Sequence, residues 1–212
     1  MVVIFDPEKV LTDTESCRFG AWREMAREQG ILYDAAFDAQ LQGLDREARL
    51  QSILNRAHRS YTPAERMALL TRQWDLQDEM MQKLGSDSLR PGAEQMIKAL
   101  KKNKIRIGAV MTDGMPGRVL GYLPVRKQFD VISRKEDLLS QLSDVQLKLS
   151  AAPGECLLVT AFPGSAKAAR SLGMQALLCG QADDHAVILQ QIMAIMPDFD
   201  EQKTFYGGNY AG

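Results

Sequence analysis

The sequence predicts an α/β fold built on a parallel sheet, and two observations carry this prediction. First, several apolar runs have the length of buried strands; they are "VVIF" at 2–5, "KIRIGAVM" at 104–111, "CLLVTA" at 156–161 and "MQALLC" at 174–179. Second, helical patterns separate the last three of these runs. Continuously apolar strands with helices between them are typical of a parallel sheet that is covered on both faces.

Residues 15–89 interrupt this alternation because they contain only helical patterns. One pattern begins at Asp45, which has a side chain that caps helix N-termini. Another begins at Thr62, where Glu65 completes a capping box. The apolar stripe of this helix begins at Met67 and predicts a packed face.

The predicted organisation is a discontinuous α/β core with an inserted helical cap domain. The core comprises residues 1–14 and 90–200, and the cap comprises residues 15–89. The Pro-Gly pair at 91–92 marks the return of the chain to the core. The Gly-rich end, 201–212, is expected to be a flexible tail.

Composition and charge exclude several classes of function. The chain has 212 residues, of which 45% are hydrophobic and 25% charged, and its formal net charge is −1. This balance gives no field that would favour nucleic acid or a membrane surface, and no apolar run reaches the roughly 20 residues of a membrane span. The three cysteines match neither a zinc motif nor a disulfide framework. We expect a cytoplasmic protein, and the sequence identifies no protein partner.

Polar residues stand where the predicted strands end. Asp6 follows the first strand, and Glu8 lies two residues later. Thr112 follows the second strand, and Thr160–Phe162 ends another. Ligands of a parallel sheet bind beyond the carboxyl ends of its strands. We therefore expect these loops to meet at one site.

Five segments stand in a recognisable order and spacing; they are "DPEKVLTDT" at 6–14, "FDAQLQGLDREARLQSIL", "LRPGAEQMIKALKKNKIRI", "APGECLLV" and "GSAKAARSLGM". Together they resemble the haloacid dehalogenase (HAD) superfamily, most closely its β-phosphoglucomutase-like branch of capped phosphatases and mutases. The first segment is similar to the family's opening D-x-D-G-[VI]-x-x-D-T. The resemblance implies a Rossmann-like core with an inserted α-helical cap.

The resemblance also implies a role for individual residues. Asp6 would be the carboxylate that attacks phosphorus, Glu8 would protonate the leaving group, and Thr112 would hold a phosphoryl oxygen. On the substrate side, Arg46 matches a cap arginine that binds sugar phosphate. Arg18 stands where the mutases often carry a histidine.

The opening motif departs from the family at three positions. The second acid is Glu8, whose side chain is longer than that of Asp by about 1.5 Å, and a displacement on the order of 1 Å can cost roughly a hundredfold in rate. Pro7 has no N–H to offer a phosphoryl oxygen. Lys9 replaces a glycine, and a residue with a Cβ is not expected to adopt the same backbone angles.

The later motifs depart further. Met111 stands where the family ends its second strand with Ser or Thr, so Thr112 comes one place late. The motif lysine is absent, with Lys135 and Lys148 as nearby candidates. Thr160–Phe162 contains no carboxylate, although the family completes its Mg²⁺ site there with one or two acids.

The acid cluster is therefore predicted to be degenerate. Asp6 and Glu8 would form a weak metal site at most, so no cofactor is expected, except Mg²⁺ if the site still functions. The added Lys9 suggests that its ammonium replaces the metal, on the substrate side of the site and within about 4 Å of these acids. His58 and His185 show no partner spacing and are expected at the surface.

Three hypotheses about function follow. The first is a protein of the β-phosphoglucomutase-like branch with strongly reduced or lost phosphoryl transfer, which still binds a phosphorylated small molecule. The second is an active, divergent sugar-phosphate phosphatase or phosphomutase that uses Asp6 and Glu8. The third is a non-enzymatic interaction subunit. A phosphatase assay with Mg²⁺ separates the second from the others, and sugar-phosphate binding separates the first from the third.

Overall fold

The computed structural model describes residues 1–84, 88–111, 116–180 and 183–196. The chain divides into two compact units. One combines Met1–Asp13 with the described residues of Gly85–Gly212, and the other is Thr14–Leu84. The expected tail at 201–212 and the candidate site residue Thr112 both lie outside the described residues.

Strands and helices alternate in the first unit, and the second unit is helical. In chain order the elements are β1 (Val2–Phe5), α1 (Glu15–Glu28), α2 (Ala35–Gln40), α3 (Arg46–Leu54), α4 (Pro63–Leu84), α5 (Ala93–Lys102), β2 (Arg106–Ala109), α6 (Pro116–Gly121), β3 (Val131–Ile132), α7 (Leu138–Lys148), β4 (Cys156–Thr160), α8 (Pro163–Ser171), β5 (Gln175–Leu178) and α9 (His185–Ile195). Short 3₁₀ helices span Pro124–Gln128 and Pro153–Glu155. None of the helices in the described part of the chain has both the length and the apolar character that a membrane span requires.

The described strands form one parallel sheet in the order β3-β2-β1-β4-β5, which confirms the predicted α/β fold. β1 lies at the centre and is fully buried, with Phe5 opposite Ala109 of β2 and Val159 of β4. The chain builds one side of the sheet from β1 to β3 and then crosses to the other side with β4. The carboxyl ends of β1 and β4 therefore flank the topological switch point, where open α/β sheets bind ligands.

The sequence pattern does not predict β3. Val131–Ile132 is a strand of only two residues, shorter than any periodicity can detect. It pairs with Gly108–Ala109 of β2, and this pairing is what makes it a strand. Long-range pairing of this kind is invisible to a local reading of the sequence.

The helical unit has its own apolar core and well-formed helix starts. Trp22, Met25 and Ile53 belong to a buried cluster that α1, α3 and α4 share. The predicted cap at Asp45 is confirmed, because its side chain accepts a hydrogen bond from the Ala48 N–H at 2.8 Å. The predicted capping box is confirmed as well. The Thr62 N–H donates to the Glu65 carboxylate at 2.7 Å, and the Glu65 N–H donates to the Thr62 hydroxyl at 3.2 Å.

One position of the predicted apolar stripe is wrong. Met67 is 61% exposed, although it was assigned to the packed face of α4. It lies in the second turn of that helix, whereas Leu69 and Leu76, further along, are buried in the cluster. The buried face of α4 is therefore rotated away from the position that the Met67 spacing indicates.

Candidate functional site

Asp6 lies at the switch point of the sheet and is fully buried. Its N–H donates to the Val159 carbonyl of β4 at 3.0 Å. On the other side, the Val110 N–H donates to the Phe5 carbonyl at 3.0 Å. The carboxyl ends of β1, β2 and β4 therefore stand side by side, as the sequence predicts.

The loop after Asp6 is a tight turn closed by its own backbone. The Pro7 carbonyl accepts hydrogen bonds from Leu11 N–H at 2.8 Å and Thr12 N–H at 3.1 Å. The Lys9 N–H donates to the Thr12 carbonyl at 2.7 Å. Lys9 has φ of 64°, so it does adopt the left-handed conformation that favours glycine. The expectation that a residue with a Cβ would not fit this loop was wrong.

The ammonium of Lys9 pairs with Asp13. The distance from Lys9 Nζ to Asp13 Oδ1 is 2.8 Å, and the Lys9 side chain is only 15% exposed. The expected pairing with Asp6 or Glu8 is thus replaced by a pairing with a residue four places later. The closed turn explains the change, since it brings the backbone at Thr12 back to Lys9 and so carries the adjacent Asp13 alongside.

Residues from outside the loop form hydrogen bonds with it. Arg90 donates a side-chain hydrogen bond to the Lys9 carbonyl. The Val10 carbonyl accepts a hydrogen bond from Nε2 of His185 at 2.7 Å, and Thr12 Oγ1 donates to the Ser88 carbonyl at 2.7 Å. These contacts fix the backbone that follows the candidate nucleophile.

The position of His185 corrects the sequence interpretation. It was expected at the surface, but it is 2% exposed, whereas His58 is exposed as expected. The partner of His185 is a backbone carbonyl, and no residue type in the sequence marks such a partner. His185 is the first residue of α9 and packs beside Gly92, where an added Cβ would lie 3.0 Å from the Cβ of His185.

The end of β2 is held by a buried glutamine. Oε1 of Gln141 accepts a hydrogen bond from the Met111 N–H at 2.7 Å, and its Nε2 donates to the Met111 carbonyl at 3.1 Å. Gln141 is fully buried and comes from α7. The amide thus pairs with the backbone as a neighbouring strand would, at the position where the family carries a phosphate-binding Ser or Thr. The role predicted for Thr112 stays a prediction.

The end of β4 carries a self-contained turn. Thr160 is fully buried, and its Oγ1 accepts a hydrogen bond from the Phe162 N–H at 3.1 Å. Pro163 then begins α8. The Thr160 oxygen therefore accepts a hydrogen bond within the turn, and neither Ala161 nor Phe162 can supply a charged ligand.

Of the two candidate motif lysines, Lys148 forms an ion pair within its own helix. Its partner is Asp144, one turn away on α7, with Nζ and Oδ1 2.9 Å apart. Its side chain is 54% exposed. Asp144 also accepts a hydrogen bond from Ser133 at 3.0 Å, and the Lys135 N–H in turn donates to Ser133 Oγ at 3.3 Å.

The donor set can be compared with the needs of Mg²⁺, which prefers several hard oxygen ligands in octahedral geometry. Asp6 and Glu8 are the acids that the β1 loop brings to the switch point. Among the described residues, no group of three or more His, Cys, Asp or Glu side chains could hold a metal ion. The described residues therefore do not fit the family's Mg²⁺ site.

In the helical unit, Arg18 belongs to a buried polar network. Its guanidinium donates to both carboxylate oxygens of Asp38, at 3.1 and 2.8 Å, and also to Glu15. Arg49 donates to Asp38 at 2.6 Å and to the Tyr33 hydroxyl at 2.9 Å, while Tyr33 itself donates to Asp38. The Asp38 carboxylate therefore accepts hydrogen bonds from two guanidinium groups and a phenol, and the residue is only 7% exposed.

The network shifts the titration of its members. Burial alone would raise the pKa of Asp38, but hydrogen bonds from Arg18 and Tyr33 outweigh burial and lower it. Burial and the hydrogen bond to Asp38 raise the pKa of Tyr33 to about 12. Burial opposes the charge of Arg18, yet its bonds to Glu15 and Asp38 raise its pKa. The guanidinium of Arg18 is thus neutralised within its own unit.

Arg46 also has partners inside the helical unit. Its guanidinium donates to the Leu70 carbonyl at 2.8 Å and to Oε1 of Gln73 at 2.6 Å. It also stacks over the Trp74 ring, 4.0 Å from the centroid. These contacts join α3 to α4 and favour a packing role; the predicted phosphate contact of Arg46 remains a prediction.

The parallel sheet, the switch-point acid and the inserted helical segment define a HAD-like α/β protein, and comparison with known proteins identifies the branch. No profile of a protein family matches the chain. The β-phosphoglucomutase of Bacillus subtilis (strain 168) is 30% identical over 187 residues, which cover 84% of this chain and 83% of that protein. The chain therefore belongs to the HAD superfamily, in its β-phosphoglucomutase-like branch, as the motifs predict.

Solved structures agree on the fold. A β-phosphoglucomutase from Clostridium difficile has a TM-score of 0.68 and 21% identity, covering 91% of this chain and 98% of its own. CbbY from Rhodobacter sphaeroides, solved with xylulose 1,5-bisphosphate, has a TM-score of 0.68 and 18% identity over 87% of each chain. A HAD hydrolase of family IA, variant 3, from Entamoeba histolytica has a TM-score of 0.70 and 20% identity, covering 89% and 88%.

Proposed function

We propose that this protein binds a phosphorylated small molecule and has strongly reduced or lost phosphoryl-transfer activity. Asp6 and Glu8 are the remaining acids of the site, and Thr112 is the remaining hydroxyl candidate for a phosphoryl oxygen. Arg18, Arg46 and Lys9 stay candidates for substrate contacts. The phosphorylated ligand is inferred from the relatives, one of which is a phosphoglucomutase and another a protein solved with a sugar bisphosphate.

The observation that carries the proposal is the turn at the end of β4. A carboxylate nucleophile approaches an anionic phosphate only if positive charge offsets their repulsion, and the family uses Mg²⁺ for this. Here the strand ends in Thr160-Ala161-Phe162, and the Thr160 hydroxyl is used by the Phe162 N–H. The acids that complete the metal site in the family have no counterpart in this turn.

The Lys9 contact supports the same proposal. A lysine close to Asp6 could substitute for part of the missing positive charge. Its ammonium is instead paired with Asp13 at 2.8 Å, so the Asp13 carboxylate neutralises that charge. The hypothesis that Lys9 replaces the metal loses its geometric basis.

The alternative is an active, divergent phosphatase or phosphomutase. One observation favours it, namely that Asp6 is buried at the switch point, where a nucleophile of this fold belongs. Glu8 follows two residues later and can still transfer protons. A catalyst of this kind would depend on Asp6, which gives the experiment its control.

The test is a hydrolysis and mutase assay with Mg²⁺ on a glucose phosphate, xylulose 1,5-bisphosphate and p-nitrophenyl phosphate. Wild type and Asp6→Asn are expected to release phosphate at the same background rate. Calorimetric binding of the two sugar phosphates by wild type, retained in Asp6→Asn, supports the binding function. Turnover that Asp6→Asn abolishes would establish the phosphatase alternative, and absence of both turnover and binding would leave the interaction subunit.

We extend the proposal to a cytoplasmic location. Cys17, Cys156 and Cys179 are all buried and none forms a disulfide. Burial raises the pKa of the Cys179 thiol to about 12, so it stays in the unreactive thiol form. Free thiols of this kind suit a reducing compartment.

A further inference from the structure

We infer that the helical unit Thr14–Leu84 carries an oxyanion-binding pocket of its own, which does not depend on the proposed function. A cavity of about 310 Å³ opens between the end of α3, the connection to α4 and the first turns of α4. It is lined by Gln51, Leu54, Asn55, Ala57, Arg59, Ser60, Tyr61 and Arg66. This volume is at the lower end of the range for small-molecule sites, roughly 300–1,000 Å³.

Arg66 supplies the charge that an anion would meet. It donates one hydrogen bond, to Oε1 of Gln51 at 2.9 Å, and forms no ion pair with a carboxylate of the described residues. Gln51 is itself held in place, because its Nε2 donates a hydrogen bond to Oδ1 of Asn55 at 2.7 Å. The guanidinium is thereby oriented from one side while most of its N–H donors remain for a ligand.

Glu65, the acid next to Arg66 in the sequence, does not neutralise it, because Glu65 is engaged by other partners. Its carboxylate accepts a hydrogen bond from Arg59 at 2.7 Å and also caps α4 through Thr62. The hydrogen bond from Arg59 and those from Thr62 together lower the pKa of Glu65 to about 2. Glu65 therefore stays ionised and bound to Arg59, and the pocket keeps one net positive charge.

Arg59 and Tyr61 form one wall of the cavity. The Arg59 guanidinium stacks over the Tyr61 ring, 3.7 Å from its centroid, which limits the conformations of both side chains. Leu54 is a buried apolar residue of the lining. The lining is mostly polar, which suits a charged, hydrogen-bonding ligand better than an apolar one.

The chemistry points to a phosphate group on a small metabolite. Arg66 presents a planar fork that matches two oxygens of an oxyanion. The Ser60 hydroxyl and the Asn55 amide N–H₂ are further donors in the lining, so a tetrahedral group with three oxygens uses more of the site than a planar carboxylate does.

The probe for the test is inorganic phosphate, added to ¹⁵N-labelled full-length protein at constant ionic strength with chloride as the exchanged anion. Backbone amides of Asn55, Ser60 and Tyr61 are expected to shift in a saturable way. Shifts in the Asp6–Thr12 loop are recorded separately, so phosphate binding near the acid cluster cannot be mistaken for this site. Acetate, added in the same way, is expected to bind more weakly than phosphate.

Variants of Arg66 make the test decisive. Arg66→Gln is expected to weaken phosphate binding at these amides about tenfold or more, because a charge-assisted contact is lost. Arg66→Lys, which keeps the charge but not the fork, is expected to fall between Arg66→Gln and wild type. The control is Arg72→Gln on the same helix, where the arginine already pairs with Glu28 at 2.8 Å; it should change affinity less than about twofold. Shifts that do not saturate, or that Arg66→Gln leaves unchanged, would overturn the inference.

Discussion

Lys9 shows how a single residue can keep the shape of a motif while changing its chemistry. The family's glycine can adopt a positive φ freely, and Lys9 adopts a φ of 64° at the same place. For an L-residue this conformation costs roughly 1–2 kcal/mol. The turn persists because Pro7, Arg90 and His185 hold its backbone through hydrogen bonds.

Replacing Lys9 by glycine should therefore not harm folding. Lys9→Gly removes the cost of the positive φ but adds unfolded-state entropy of about 0.5–1 kcal/mol, so the free energy of unfolding should stay equal or rise by up to about 1 kcal/mol. Lys9→Val should lower it by at least about 1 kcal/mol, because a β-branched side chain fits this region worst. Urea unfolding followed by circular dichroism measures both.

The control for this pair is Asp13→Asn, which removes the ion pair but leaves the turn. The Asp13 side chain is 49% exposed, so the pair should contribute less than about 1 kcal/mol. A Lys9→Gly variant that loses more than Asp13→Asn would contradict the account of backbone strain.

Asp38 is the residue whose loss should cost most in the helical unit. Asp38→Asn leaves the buried Arg49 and the half-buried Arg18 without their shared counter-charge, which should lower the stability at pH 7 by about 3 kcal/mol. Urea unfolding followed by tryptophan fluorescence measures this loss, because both tryptophans, Trp22 and Trp74, belong to this unit. The matched control is Glu24→Gln, since the Glu24–Arg27 pair is exposed and its loss should leave the stability nearly unchanged.

The effect of Asp38 should also depend on pH in a definite direction. The folded protein lowers the pKa of Asp38, so its contribution is fully present above the unfolded value of about 3.9 and is lost as the pH falls through the folded value. The gap between wild type and Asp38→Asn should therefore stay constant from pH 7 to about pH 5 and narrow below about pH 4. A gap that widens in acid would contradict this assignment.

Among the elements, β2 and α7 approach more closely than a side chain allows. A Cβ placed on Gly108 would lie 2.2 Å from Cγ1 of Val145, so the strand and the helix meet across a glycine. Gly108→Ala should lower the free energy of unfolding by about 1–3 kcal/mol through overpacking. Circular dichroism is the appropriate signal, because neither tryptophan lies in this unit.

A double variant tests whether this contact is the cause. Gly108→Ala with Val145→Ala should be more stable than the sum of the two single effects predicts, by about 1 kcal/mol or more, since the truncated valine leaves room for the new methyl. Gly164→Ala in α8 is the control. A Cβ there meets nothing within 4 Å, so this variant should be neutral or stabilising by up to about 1 kcal/mol. Strict additivity of the pair would show that Gly108 acts in another way.

The elements also show which features could be predicted from residues close together in the sequence. Strands β1, β2, β4 and β5 and the caps at Asp45 and Thr62 follow from apolar runs and cap residues, which act over a few positions. The two-residue β3, the exposed Met67 and the buried His185 depend on partners far along the chain. The end of β2 is similar, because the Gln141 side chain that holds Met111 lies 30 positions away.

At the scale of the whole molecule, the motifs located the strand-end acids, but they did not determine the contacts of each side chain. Asp6 lies at the switch point as its strand predicts. Lys9 was expected to contact Asp6 or Glu8 and pairs with Asp13 because the turn folds the chain back. A motif fixes the order of residues, whereas ion pairs depend on the rotamer and local turn geometry that only the folded chain defines.

If the proposed loss of phosphoryl transfer comes from missing positive charge, a metal site rebuilt in this fold should bind Mg²⁺ and support some transfer. The variant Glu8→Asp/Lys9→Gly/Ala161→Asp returns the second acid, the glycine and an acid at the end of β4. Ala161 follows Thr160, whose neighbour Val159 accepts the Asp6 N–H, so the new carboxylate enters at the strand end next to Asp6. Calorimetry should detect specific Mg²⁺ binding by this variant and none by wild type.

The matched control places the same charge at the other end of the strand. Ala152 precedes β4 at its amino end and is exposed, so Glu8→Asp/Lys9→Gly/Ala152→Asp has equal net charge without an acid at the switch point. It should bind Mg²⁺ no better than wild type. If phosphatase activity appears with the rebuilt site, Asp6→Asn should abolish it. Specific Mg²⁺ binding by wild type, or equal binding by the two triple variants, would contradict the proposal that the missing acid at the end of β4 prevents metal binding.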